Sequence, residues 1–211
     1  MLKIRIVQYS IFYLLLAGLT YPAISQSQQS GGTGPLMNDR PLDNQSQPPA
    51  TDTGQELSKL IGTRLSIMQE VAKYKWNNNA PIEDPDREQK LLDSVGRQAQ
   101  AEGLQPQWAQ HFFRLQIEAA KLAQYQLFQD WRRTQHPAFS DAPDLATVAR
   151  PNLDALTPLL LKSLKSHWKD IAAGSMSMED VTPRSVEQRF PLAIGVAVLP
   201  FVDGSARANG Q

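Results

Sequence analysis

Arg64 and Lys75 are the residues whose type and spacing first suggest chemistry. Eleven positions separate them, close to three whole turns, so on a helix both point the same way, about 16 Å apart along the axis. Leu57, Leu60, Ile61, Met68 and Val71 recur at helical spacing and share their stripe, whereas Gln69 and Lys73 fall elsewhere and read as solvated. Two cations on an apolar stripe are costly unless something anionic meets them. The plainer reading is that their stems lie along the core while their heads reach water. Glu88, Gln124 and Arg150 also fall in line with apolar positions of their segments, and Arg87 lies beside Glu88 in the first turn of its helix. Arginine forks match carboxylates. The set therefore suits a compact polyanion carrying hydroxyl groups, with chemistry by positioning and electrostatics alone.

Other chemistries find little support. There is no Gly-x-Ser-x-Gly elbow. His111, His136 and His167 form no metal-ligand pattern, and the chain has no cysteine. No metal and no cofactor are expected. The formal net charge is zero, which gives no electrostatic case for nucleic acid or an anionic membrane.

The elements that must position these residues are helices. Residues 1–25 read as a signal peptide: Lys3 and Arg5, an apolar run from Ile11 to Leu19, and small residues at Ala23 and Ser25. Cleavage after Ser25 would leave a periplasmic or secreted protein with no remaining membrane segment. Residues 26–54 have linker composition, rich in Gln, Ser, Gly, Pro and Asn. Residues 55–203 form one helical domain, and 204–211 a disordered tail. Within the domain a first helix runs through Arg64 and Lys75 until Asn77-Asn78-Asn79-Ala80-Pro81 breaks it. Asp84 then caps a second helix with Pro85 at its first position and Gly103 beyond its end. A third runs from Pro106 to Arg133 with apolar residues on two sides, which makes it central to a bundle. Gln124 lies in one of its stripes and needs hydrogen-bond partners there. A further helical stretch from Asp144 to Ala173 is expected to kink or break at Pro151 or Pro158. Glu179 to Arg189 reads as helical and polar. Leu192 to Val202 reads as either a docked helix or a buried extended segment.

Three segments together resemble a known family: Arg64 with Lys75-Trp76, Pro81-Ile82-Glu83-Asp84-Pro85-Asp86-Arg87-Glu88, and Gln116-Ile117-Glu118-Ala119-Ala120-Lys121-Leu122-Ala123-Gln124. Their order and distances are similar to those of AroQ-type chorismate mutases. The leader and the long C-terminal region resemble the secreted gamma subclass. The resemblance is clear from Leu57 to Trp131 and extends less fully to Arg150. It implies an all-α helical bundle of the AroQ type with extra C-terminal helices, a homodimer with each site inside one protomer, and the rearrangement of chorismate to prephenate without a cofactor. By resemblance, Arg64 binds one substrate carboxylate and Arg150 the other. Lys75 bridges a carboxylate and the ether oxygen, and Gln124 donates to that oxygen from the other side. Glu88, with Asp84 nearby, accepts from the ring hydroxyl, and Arg87 holds the ring side. Ala120 departs from the pattern, because the family usually has a small polar residue there contacting a carboxylate. That departure keeps open a second reading, a non-catalytic helical binding module for an aromatic or dicarboxylate ligand. A purely structural bundle with snorkelling cations is the third.

Overall fold

The computed structural model describes residues 52–208. The expected signal peptide, its cleavage point and nearly all of the expected linker lie outside these residues. Among the described residues there is no strand, and no helix is long and apolar enough to cross a membrane.

Helix α1 (Asp52–Asn77) takes in residues 52–54 as well as the segment read from periodicity. Leu57, Ile61, Leu65, Met68, Val71 and Ala72 make up its buried stripe. Helix α2 (Pro85–Ala101) begins as its sequence dictates: the Asp84 carboxylate accepts from the Arg87 N–H at 3.3 Å, and Pro85 opens the first turn. Past its end, Gly103 takes φ +70°, a conformation that costs glycine little.

Helix α3 (Pro106–Arg133) is the centre of the bundle, packed against α1 and α2 and against the C-terminal helix α8 (Pro191–Val198). Its fully buried Trp108, Phe112 and Phe113 fill the space between these neighbours. Each such aromatic removes 150–250 Å² from water, so this layer supplies much of the burial that replaces the missing disulfides.

After α3 a loop leads to a five-residue π turn, Leu145–Ala149, and then α4 (Arg150–Ser166). Pro151 sits in the first turn of α4, where its lack of an N–H does not matter. Pro158 lies inside α4 without ending it, so of the expected kink or break there is no break at this proline. The carbonyl that proline cannot pair, that of Asp154, belongs to an exposed residue, where solvent can replace the lost bond. The interruption comes at His167 instead, before the short α5 (Trp168–Ala173).

The polar helix expected over Glu179 to Arg189 is two single turns, α6 (Met178–Val181) and α7 (Arg184–Glu187). Pro183 separates them by keeping Thr182 extended. Of the two readings for Leu192 to Val202, the docked helix holds: α8 buries Ala193, Ile194, Ala197 and Val198, and a 3-10 turn Leu199–Phe201 follows. Residues 205–208 form one more turn, α9 (Ser205–Ala208), with Ala206 buried, where a frayed tail was expected.

Candidate active site

A cleft of about 620 Å³, mouth included, opens between α1, α2, α3 and the start of α4. Arg64, Met68, Val71 and Lys75 enter it from α1. Ile82 and Asp84 come from the turn before α2, and Arg87, Glu88 and Leu91 from α2 itself. Ile117, Ala120, Lys121 and Gln124 come from α3, Leu145 from the π turn, and Arg150 and Leu153 from α4. All eight residues singled out from the sequence thus line one cavity. Five cations face it against two carboxylates, Asp84 and Glu88.

Arg64 is the deepest of the cations. It is 5% exposed, its Nε has no hydrogen-bond partner among the described residues, and its guanidinium lies 6.0 Å from the Phe113 ring centre. Burial pushes its pKa down to about 10, with the charge of Asp154 opposing that fall. Lys75 is likewise buried and donates to the Ile82 carbonyl at 2.6 Å, which folds the segment after α1 back against the helix. Asn79 helps that reversal by adopting φ +50°, which asparagine tolerates. Burial lowers the Lys75 pKa below the ordinary lysine value, and nearby Asp84 partly offsets this.

The remaining charges are held from within. Asp84 caps α2 with one oxygen and meets Arg150 with the other at 3.2 Å, tying α4 to the start of α2. Arg87 pairs with Asp154 at 2.9 Å. Glu88 accepts from the Asp84 N–H at 3.3 Å and lies 3.4 Å from the Lys121 ammonium. Gln124 donates to the Ala120 carbonyl one turn earlier at 3.0 Å and to the Met68 sulfur at 3.7 Å, and its Oε1 has no partner among the described residues. Thioether sulfur is a weak acceptor, so the N–H facing Met68 is readily claimed by a better one.

Two features, one in the cleft and one beside it, escaped the sequence. Lys121 follows Ala120 and precedes Gln124 by three, which places it at the edge of the same face and was the one available signal. Asp154, beside Arg87, carried none. Lys73, read as solvated, is in fact buried, pointing away from the cleft between Asp141 at 2.7 Å and Glu70 at 3.3 Å. Its bond to Asp141 holds its pKa above the ordinary value. Asp141 lies in the loop after α3, too far along the chain for periodicity to predict. No cluster of His, Asp or Glu suited to a metal ion occurs among the described residues.

The chain and its fold have counterparts among known proteins. The family described as chorismate mutase type II matches residues 52–125. The crystal structure of chorismate mutase from Burkholderia thailandensis superposes with a TM-score of 0.62 at 34% identity, covering 71% of this chain and 98% of that one. The chain belongs to the chorismate mutase family. The secreted chorismate mutase of Yersinia pestis is 29% identical over 172 residues, 82% of this chain and 75% of that protein. The secreted chorismate mutase of Mycobacterium tuberculosis is 31% identical over 124 residues, 59% of this chain and 62% of that protein. The matched segments thus span between three-fifths and three-quarters of these two curated chorismate mutases. Seven of the eight site residues lie inside the family match at 52–125; Arg150 comes from beyond it.

Proposed function

We propose that this chain is a chorismate mutase, rearranging chorismate to prephenate inside the cleft without a covalent intermediate. The observation that carries the reading is Arg64: a buried guanidinium lining a cavity, whose Nε is unsatisfied and which no carboxylate pairs among the described residues. Such a charge is tolerated where an anion will meet it. A dianionic substrate supplies that anion.

In this reading Arg64 takes one carboxylate of chorismate, and Arg150 takes the other after Asp84 releases it. Lys75 reaches the first carboxylate and the ether oxygen whose bond breaks. Gln124 turns its Met68-facing N–H to that oxygen from the α3 side. Negative charge grows on this oxygen in the transition state, so donors already fixed around it lower the barrier without reorganising. Glu88, with Asp84 beside it, accepts from the ring hydroxyl, and Arg87 closes the ring side. The bound geometry holds the two ends of the substrate together, the entropic part of the rate enhancement.

Export of the mature protein belongs to the same proposal, supported by the leader-like first residues and by relatives named secreted chorismate mutases. A homodimer with each site inside one protomer is also part of it, and sedimentation at micromolar concentration tests it. Ala120 favours one rival, a binding module without turnover, because its methyl adds no donor to the wall. Adding chorismate and following both its absorbance and prephenate formation decides between them: catalysis supports the mutase, and saturable binding without conversion supports the rival.

A further inference from the structure

Lys121 lies within the Gln116–Gln124 motif and lines the cleft, yet none of the roles above employs it. Its side chain is only 16% exposed. The ammonium lies 2.7 Å from Glu118, one turn earlier on α3, and 3.4 Å from Oε2 of Glu88, across on α2. The other oxygen of Glu88, Oε1, accepts from the Asp84 backbone N–H. One carboxylate is therefore gripped from both sides, by the N-terminus of α2 and by α3. Burial works to weaken the Lys121 cation, yet Glu118 and Glu88 outweigh it and hold its pKa above the ordinary lysine value. An exposed lysine paired with Glu118 alone would be worth a few tenths of a kcal/mol and would have no reason to turn inward.

We propose that Lys121 is a positioning residue, which fixes the Glu88 carboxylate at the cleft wall so that it accepts the substrate's ring hydroxyl, and does not itself bind substrate. The proposal rests on the chorismate reading of the cleft and adds to it a second layer of support. Without Lys121, Glu88 keeps only the Asp84 N–H and swings toward solvent.

The test is steady-state kinetics on Lys121→Met, Lys121→Arg, Glu88→Gln and the Lys121→Met/Glu88→Gln double variant, with prephenate binding measured by calorimetry on each. Methionine keeps the length of the stem and removes the charge. Lys121→Met is expected to raise KM and the prephenate Kd about tenfold, a loss typical of one hydrogen bond to a charged group, and to leave kcat within threefold. Lys121→Arg is expected to restore both. In the Glu88→Gln background the methionine change is expected to add nothing, because it acts through Glu88. Wild-type KM and Kd in Lys121→Met would overturn the proposal, as would a full, additive loss in the double variant, the mark of direct substrate contact. Wild-type protein that neither converts chorismate nor binds prephenate would overturn the functional reading and this proposal with it. Active wild type with an unaffected Lys121→Met removes only the latter.

Discussion

Replacing Lys75 by alanine should lower kcat at least a hundredfold while the helical fold survives. The ammonium is buried, fixed by a 2.6 Å bond to the Ile82 carbonyl, and faces the cleft. A fixed donor to developing charge in such a site is worth about 10²–10³ in rate, roughly 3–4 kcal/mol. The effects on stability oppose each other. The Ile82 carbonyl loses its partner, which costs about 1–3 kcal/mol when no water replaces it. The burial of an ammonium is relieved at the same time. The net change is small, and each kcal/mol moves Tm by only about 2–4 °C in a chain of this size. Lys73→Ala is the matched control. Lys73 is two residues away and equally buried, but it faces Asp141 and Glu70 outside the cleft. It should cost stability and leave kcat nearly unchanged. The assay is the loss of chorismate absorbance at saturating substrate, with circular dichroism to verify the fold. A Lys75→Ala enzyme within tenfold of wild type would refute the reasoning, and so would equal kinetic damage from Lys73→Ala.

Other outcomes follow from the same geometry. Arg64→Met should abolish turnover yet leave Tm unchanged or higher, since an apolar side chain of similar volume replaces a buried charge that no carboxylate pairs among the described residues, an exchange that for buried ion pairs is often neutral or stabilising by about 1–4 kcal/mol; calorimetric melting checks it. Gln124→Glu should move the pH optimum toward acid, because a carboxyl must be protonated to donate where the amide donates at any pH; an unchanged pH–rate profile would remove Gln124 from the ether oxygen. Ala120→Ser should lower KM by up to about tenfold, the worth of one hydrogen bond to a charged group, and unaltered affinity for chorismate would show that this wall does not meet a carboxylate. Asp141→Asn should lower Tm at neutral pH. The folded Asp141 pKa is depressed by Lys73, so the wild-type advantage is present above the unfolded aspartate value and fades as pH falls through the folded one; melting across that acid range checks it.

Much of this arrangement could be read from local rules. The Asp84-Pro85 start of α2 is capping chemistry that needs no tertiary context. The inward cations of α1 and the inward amide of α3 follow from a period of 3.6 and the apolar residues around them. What could not be read depends on contacts between distant segments. Lys73 looks solvated on a helical wheel because Asp141, which neutralises it, sits 68 residues later. Asp154 meets Arg87 only after α4 folds onto α2. Lys121 lies just off the apolar stripe, and its inward turn is decided by Glu88 on another helix. Pro158 shows that a proline need not end a helix where the residue whose carbonyl it strands, Asp154, is exposed.

The most direct measurement is the rate of chorismate disappearance and prephenate appearance with the purified protein at neutral pH. Saturable, stoichiometric conversion without added metal or cofactor, abolished by Arg64→Met, is the expected result. Folded protein that binds chorismate and leaves it unconverted at the uncatalysed rate would contradict it.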